Sequence, residues 1–372
     1  MRAYRLRLTV ARVVVATTRK RSTIPHAAEE ATLVVTPGNH PRPTAARGLL
    51  VCLLGLLTAC GGAQPSASMP SAPIATDPTA MRGRWEAAHG LFDYDRQAPL
   101  NVTLPNEPAQ RKGNAGAFDV SYDSPGGGRV PAWIVLPDGD GPFPAVIIMH
   151  GSGDNRSGPL DLAFNLAEAD VATILLDAPF RRPGWSSSLS EFVTFTSQDR
   201  ADQIQLLMDL RRAVEVAMEL PQIDDGRLGY FGLSYGAAMG AQLAGIEDRI
   251  AVFALAVGDG GLVEHFLGPD DAEGALMTLP SDQRQAWVAA MEPIEPLYFI
   301  GQATAPILLQ SALRDEFLPL SDVRRFHAAA PPSARVEWYD SGHELPDGAF
   351  CNAAAWLADH LAFDTTKVGS CD

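Results

Sequence analysis

Cysteine, basic residues and long apolar runs are all scarce in this chain. Its 372 residues include four cysteines, and neither CxxC nor HExxH spacing occurs, so no metal site and no cofactor are expected. Residues 1–59 hold nine Lys or Arg and two Asp or Glu, which leaves 20 basic and 42 acidic residues, a net charge of −22, in residues 60–372. Because nucleic-acid binding depends on clustered Lys and Arg, nucleic acid is not an expected partner.

Residues 48–59 form an uncharged apolar segment directly after Arg47. This segment is too short to span a bilayer as a helix, but it suits the hydrophobic region of a signal peptide. It ends in Leu57-Thr58-Ala59-Cys60, which resembles the lipobox of bacterial lipoproteins. The resemblance implies cleavage before Cys60 and attachment of a diacylglyceryl group to its sulfur. A buried helix with an incidental cysteine is the alternative.

The sequence around this segment predicts where the protein is located. Residues 1–59 are interpreted as a signal region, and residues 1–40 fit either a long leader or an over-extended start. Residues 60–80 are rich in Gly, Pro, Ser and Ala, as a flexible tether should be. We therefore expect an exported protein that is lipid-anchored in the bacterial cell envelope, in the outer membrane or periplasm if the host has two membranes. The oligomeric state stays open.

Export changes how the remaining cysteines are interpreted. Cys52 lies within the cleaved segment, which leaves Cys351 and Cys371 in the mature chain. A pair of cysteines in an oxidising compartment predicts one disulfide between the last helix and the C-terminal tail. Two free thiols are the alternative, and neither interpretation implies a role in catalysis.

From about residue 116 the chain alternates strand and helix patterns, which predicts an α/β fold with a mainly parallel, doubly wound sheet. On a predicted helix over residues 202–220, Leu207, Leu210, Val214 and Met218 share one apolar face. The predicted strands are residues 118–122, 130–136, 144–149, 171–176, 227–233, 250–257, 307–310 and 335–339; two further helices are residues 237–244 and 349–361.

Residues 116–363 are therefore interpreted as one domain, followed by a tail over residues 364–372. Residues 81–115 are polar and contain proline, which predicts a segment that wraps over the core. Residues 260–300 are longer than a plain crossover between strands. They fit either a short lid over a pocket or a crossover helix with a surface loop.

The most informative motif is Gly232-Leu233-Ser234-Tyr235-Gly236, at the junction of a predicted strand and a predicted helix. A G-x-S-x-G turn at such a junction lifts a serine hydroxyl out of the fold, and the glycines allow strand and helix to approach closely. A serine hydroxyl is a weak nucleophile, so it requires a base, an orienting acid and oxyanion donors. We identify Ser234 as the candidate nucleophile.

One candidate follows for each partner role. His343 lies in a loop after the last predicted strand, where a general base would be expected. Asp315 follows the preceding strand and could hold the His343 imidazole in the required tautomer; Glu316 and Asp322 are the alternatives for this acid.

The oxyanion hole requires backbone N–H groups. The residue after the nucleophile, Tyr235, is one expected donor. The second is expected from Ser152 in the loop His150-Gly151-Ser152-Gly153, which follows the apolar strand over residues 144–149. His150 itself is expected to pack this loop and not to act in the chemistry.

Taken together, these motifs resemble the α/β-hydrolase superfamily, in particular its dienelactone hydrolase-like and acetyl-xylan-esterase-like branch. The resemblance covers residues 116–363, and the motifs that carry it are HGSG at 150–153, the strand and elbow at 227–236, LRDEFLP at 313–319 and SGHE at 341–344. Dienelactone hydrolases use a cysteine nucleophile, and Ser234 departs from that pattern.

The resemblance implies a serine hydrolase that cleaves small-molecule carboxylic esters through an acyl-enzyme intermediate. Two other functions stay open at this point. A peptidase or amidase would use the same triad, and an envelope lipoprotein could keep the fold for binding alone.

Overall fold

Nine strands of the described chain form one mixed sheet, with the order β1-β2-β3-β5-β4-β6-β7-β8-β9. In the computed structural model the described residues are 77–187, 190–267, 275–369 and 371, within a compact unit spanning Ile74–Asp372. The predicted signal region, residues 1–59, and the predicted lipidation site Cys60 lie outside the described residues. The strands are β1 (Gln110–Lys112), β2 (Ala115–Asp123), β3 (Arg129–Pro137), β4 (Phe143–Met149), β5 (Ala172–Leu176), β6 (Ile223–Leu233), β7 (Val252–Ala256), β8 (Ile307–Ala312) and β9 (Arg335–Tyr339).

The first three strands pair antiparallel with their neighbours, whereas β5, β4, β6, β7, β8 and β9 are parallel to one another. The predicted mainly parallel sheet is thus confirmed, and the strands predicted over residues 118–122 and 130–136 lie in β2 and β3, which form an antiparallel hairpin. Central strands such as β5 and β7 are buried along their whole length, which explains their continuous apolar sequences. Because the parallel strands run in one direction, the loops that follow them meet at one edge of the sheet.

Helices cover both faces of this sheet. One apolar core lies under α3 and α4, and a second lies on the opposite face under α2 and α10. The helices are α1 (Pro78–Ala88), α2 (Leu160–Ala167), α3 (Ser197–Glu219), α4 (Tyr235–Ala244), α5 (Leu262–Leu267), α6 (Ala275–Thr278), α7 (Ser281–Met291), α8 (Leu297–Ile300), α9 (Leu320–Ala329) and α10 (Asp347–Leu361).

Helix α3 differs from its prediction at both ends. It begins at Ser197, five residues earlier than expected, because the side chain of Thr196 caps it by accepting from the Gln198 N–H (3.2 Å). The first turn is polar, so apolar periodicity could not reveal it. Met218, the last residue of the predicted apolar face, is not buried with the others: it is 46% exposed. The last buried residue of the helix is Ala217.

The segment before the predicted domain contributes regular structure. Helix α1 contacts the core through Trp85, whose indole Nε1–H donates to the Gly245 carbonyl oxygen (3.0 Å). Strand β1 adds an antiparallel edge to β2. This segment therefore extends both the helical layer and the sheet.

The C-terminal tail is joined covalently to α10. Cys351 and Cys371 form a disulfide, with an S–S distance of 2.16 Å. Within the described ranges, no helix is long and apolar enough to cross a membrane.

Candidate active site

A strained turn between β6 and α4 presents Ser234. Its backbone has φ 52° and ψ −113°, a left-handed conformation that is costly for any residue with a Cβ. The flanking glycines make this turn possible, because added side chains would collide with backbone. A Cβ on Gly232 would lie 2.3 Å from the Gly236 oxygen, and a Cβ on Gly236 would lie 2.3 Å from the Met149 oxygen.

Three predicted side chains meet at this turn. Ser234 Oγ lies 3.0 Å from His343 Nε2. On the other side of the imidazole, Nδ1 lies 2.8 Å and 3.0 Å from the two carboxylate oxygens of Asp315. A carboxylate accepts hydrogen bonds, so Nδ1 carries the imidazole proton and Nε2 is left as an acceptor for the serine hydroxyl. This tautomer is the one that proton transfer from Ser234 requires.

Backbone contacts hold the acid and the base in these positions. One oxygen of Asp315 accepts from the N–H groups of Phe317 (2.9 Å) and Leu318 (3.0 Å). Glu316, an alternative for the acid, instead accepts from the backbone N–H of His343 (2.9 Å) and so fixes the loop that carries the base.

Asp322, the other alternative for the acid, lies on α9 with Ser321 and Arg325 as its partners. The structure therefore brings Asp315, and neither alternative, against the Nδ1 atom of His343.

His150 orders the loop that faces Ser234. Its Nε2 accepts from the backbone N–H of Ala178 (3.2 Å), and its Nδ1 contacts the carbonyl oxygen of Gly151 (2.7 Å). Accepting at Nε2 requires the proton to be on Nδ1, which then donates to Gly151. Burial lowers the pKa of His150, so the imidazole stays neutral.

The hydrogen bond from His150 orients the peptide between Gly151 and Ser152. In a trans peptide the C=O and N–H groups point in opposite directions. Fixing the Gly151 carbonyl therefore fixes the direction of the Ser152 N–H, the predicted oxyanion donor. The second predicted donor, the Tyr235 N–H, belongs to the first turn of α4, where backbone N–H groups have no partner within the helix.

A small cavity of about 80 Å³ opens beside Ser234. Its wall is formed by the loops after β4, β5, β7 and β8, the first turns of α3, and helices α4, α5 and α7. The aromatic side chains in this wall include Phe180, Phe192, Tyr235, Phe266 and Trp287.

Asp199, in the first turn of α3, connects parts of the cavity wall through hydrogen bonds. One of its carboxylate oxygens accepts from Thr194, through the N–H (2.8 Å) and the hydroxyl (2.7 Å). The other accepts from the Phe195 N–H (2.8 Å) and from the indole Nε1–H of Trp287 (2.7 Å). The buried carboxylate thus has four donors, which offsets the cost of removing it from water.

Solved structures of other proteins share this architecture. Acetyl xylan esterase 1 from Thermoanaerobacterium sp. JW/SL YS485 superposes with a TM-score of 0.63 and 18% identity, over 76% of this chain and 94% of that one. The acetyl xylan esterase from Paenibacillus sp. R4 gives a TM-score of 0.62 and 18% identity, over 76% and 95%. The chain has the α/β-hydrolase fold. Identities this low carry the fold and nothing more.

Sequence comparison connects part of this hydrolase fold to esterases. Residues 93–257 match the family model described as acetyl xylan esterase (AXE1), a range that contains Ser234 and ends before Asp315 and His343. The chain is also 26% identical over 184 residues to the esterase FrsA of Citrobacter koseri, which covers 46% of this chain and 41% of that protein. The esterase FrsA of Salmonella newport gives 27% over 165 residues, covering 43% and 37%. The chain thus spans less than half the length of these curated relatives.

Sequence reasoning missed several residues that shape the site. Arg181 donates to the carbonyl oxygens of Ser152 (2.6 Å) and Asp154 (2.7 Å) and so stabilises the loop that contains the predicted oxyanion donor. The Tyr235 hydroxyl donates to Gln203 (2.9 Å), which joins α4 to α3. No motif signals these contacts, because they connect segments far apart in the sequence. In the described ranges, no three His, Cys, Asp or Glu side chains are grouped as a metal site would require.

Proposed function

We propose that this protein is a serine hydrolase that cleaves carboxylic esters, with Ser234 as nucleophile, His343 as general base and acid, and Asp315 as the orienting carboxylate. The observation that carries the proposal is the continuous series of contacts from Ser234 Oγ through the His343 imidazole to Asp315. The match of residues 93–257 to the acetyl xylan esterase family model supports an ester as the substrate, as does the similarity to FrsA esterases.

The contacts correspond to a two-step acyl transfer. His343 Nε2 takes the proton of Ser234 Oγ while this oxygen bonds to the ester carbonyl carbon, whose oxygen becomes negatively charged. The N–H groups of Tyr235 and Ser152 stabilise that oxyanion. When the tetrahedral species collapses, the bond to the alcohol oxygen breaks and the imidazolium gives that oxygen its proton.

Hydrolysis of the acyl-enzyme repeats the sequence with water in place of the serine. His343 takes a proton from water, the resulting hydroxide bonds to the acyl carbon, and the bond to Ser234 Oγ breaks. The proton then returns from His343 to Ser234. A carboxylic acid and an alcohol are the products, and the enzyme is regenerated.

Fluorophosphonate labelling of the purified protein tests the proposal without knowledge of the substrate. We expect one modified peptide that contains Ser234, and we expect labelling to be lost in His343→Ala and kept in Ser321→Ala, which alters an exposed serine on α9. Labelling should be followed by assays with short-chain esters and with peptide amides. A folded protein with no label at Ser234 would leave a binding function in place of catalysis, and cleavage of amides alone would indicate a peptidase or amidase.

We further propose that the protein is exported and lipid-anchored at Cys60. The disulfide between Cys351 and Cys371 supports export, because such bonds persist in oxidising compartments. Radiolabelled palmitate fed to expressing bacteria should enter the wild-type protein and the Cys52→Ala variant but not Cys60→Ala. Equal incorporation into Cys60→Ala would disprove the anchor.

A further inference from the structure

We propose that the cavity beside Ser234 binds a short acyl group that carries a hydroxyl, and that Asp259 accepts a hydrogen bond from this hydroxyl. The inference rests on the ester hydrolysis proposed above. It adds to that function the chemical class of the acid from which the ester is made.

The cavity lies on the acyl side of the reaction. His343 must give its proton to the leaving alcohol, so the alcohol departs toward the imidazole. The described residues that line the cavity include Ser234 and the two proposed oxyanion residues, Ser152 and Tyr235, but not His343. A carbonyl held at those donors therefore directs its acyl group into the cavity and its alcohol away from it.

Asp259 places an incompletely satisfied carboxyl group in the wall of this cavity. The residue follows β7, is only 7% exposed and lines the cavity. The Nδ1 atom of His265 lies 3.6 Å from Oδ2 of Asp259, beyond hydrogen-bond range. A carboxylate has two oxygens with about four positions for donors. Asp199, in the same wall, has four donors. Asp259 has no donor at hydrogen-bond distance among the described residues, so it retains capacity toward the bound group.

A purely apolar acyl group would be a poor match for this wall. It would displace water from the Asp259 carboxyl group and offer no hydrogen bond in return, which is unfavourable for a buried polar group. A hydroxyl can donate to Asp259, and removing it from water costs far less than removing an ammonium group. The cavity volume of about 80 Å³ is far below that of sites for drug-sized ligands, so the acyl group is short.

The test compares phenyl esters that share one leaving group: acetate, propionate, glycolate and glycinate. Each value of kcat/KM is divided by the rate of alkaline hydrolysis of the same ester, which removes intrinsic reactivity. We expect glycolate to exceed acetate and propionate by about tenfold or more, because a site built around a hydroxyl discriminates against analogues that lack it. Asp259→Leu should abolish this preference while Ser234 remains reactive toward fluorophosphonate.

Two further variants keep the test decisive. Asp259→Asn preserves side-chain shape and should weaken the preference even if Asp259→Leu does not fold. Asp161→Asn is the control, because Asp161 is a carboxylate that pairs with Lys112 (2.8 Å) and is not among the described residues that line the cavity; it should leave the preference unchanged.

The outcomes separate this inference from the proposed function. Equal or faster hydrolysis of acetate and propionate overturns the inference alone, provided that Ser234 is labelled. A preference for glycinate overturns it in favour of an ammonium group, and a glycolate preference that survives both Asp259 substitutions removes Asp259 from it. No label and no ester hydrolysis by the folded protein would refute the proposed function itself.

Discussion

The turn at Ser234 and the wall of the adjacent cavity are built in different ways. At the turn, backbone decides the geometry: Gly232 and Gly236 permit contacts that a Cβ would block, and backbone N–H groups orient Asp315. In the wall, side chains from α3, α5 and α7 decide it, as in the hydrogen bond between Asp199 and Trp287. The turn is therefore visible as a motif, whereas the wall depends on which distant segments meet.

This difference separates chemistry from selectivity. Changes at the turn should alter the reaction itself, because the reacting atoms depend on it. Changes in the wall should alter which acyl groups are accepted while leaving the nucleophile reactive.

The largest expected effect is that of Ser234→Ala. Removing the nucleophile should lower kcat by about 10⁵-fold or more, measured with the best ester found by screening. The fold should survive, because alanine occupies less space at the same position, and circular dichroism with thermal unfolding checks this. Turnover within tenfold of wild type in a contaminant-free preparation would refute the role of Ser234.

Gly236→Ala tests whether backbone proximity governs the turn. The new Cβ would lie 2.3 Å from the Met149 oxygen, so α4 must move and the oxyanion donor at Tyr235 moves with it. We expect kcat to fall about 100-fold and the free energy of unfolding to fall by about 1–3 kcal/mol. Gly83→Ala is the control, because no atom lies within 4 Å of its added Cβ. It should leave kcat unchanged and should alter the free energy of unfolding by no more than about 1 kcal/mol.

Trp287→Phe tests the wall. It keeps an aromatic ring but leaves Asp199 without one of its four donors, which should lower the free energy of unfolding by about 1–3 kcal/mol. Relative kcat/KM across a series of acyl lengths should change, while fluorophosphonate still labels Ser234. Trp356→Phe is the control. It also removes an indole donor, but in the wild type this indole donates to the Phe253 carbonyl oxygen (3.0 Å) outside the cavity. Identical acyl-length profiles for both variants would contradict a wall function for Trp287.

The smallest expected effect is a change in the pH dependence of stability, and it concerns His327 on α9. The imidazole of His327 contacts Ser311 (3.0 Å) on β8, the strand that precedes Asp315. Burial lowers the pKa of His327 from 6.5 to about 4. Between these values the unfolded chain binds a proton that the folded protein does not, so stability falls as the pH falls through this window.

Urea unfolding at pH 7.5 and pH 5 measures the effect. The loss of stability at pH 5 should be smaller in His327→Gln than in wild type, and the pH profile of kcat/KM should keep its shape. An equal loss of stability in both proteins would show that His327 does not contribute.

Prediction from sequence succeeded where local chemistry is sufficient. Buried parallel strands such as β5 and β7 have continuous apolar sequences, and the glycines of the turn at Ser234 follow a recognisable pattern. Prediction from sequence failed where the structure of a segment depends on a contact with another residue. The polar start of α3 becomes helical through the Thr196 cap, and Met218 is exposed although its spacing matches the buried face.

The sequence by itself determined the alternation of strands and helices, and the order of Ser234, Asp315 and His343 along the chain, because apolar periodicity and turn-forming glycines are local properties. Only the tertiary structure brought these three side chains within hydrogen-bond distance. It alone also placed Asp259 in the wall of a small cavity. The physical reason is that a wall arises from packing between distant segments, and no single segment encodes which neighbours it will meet.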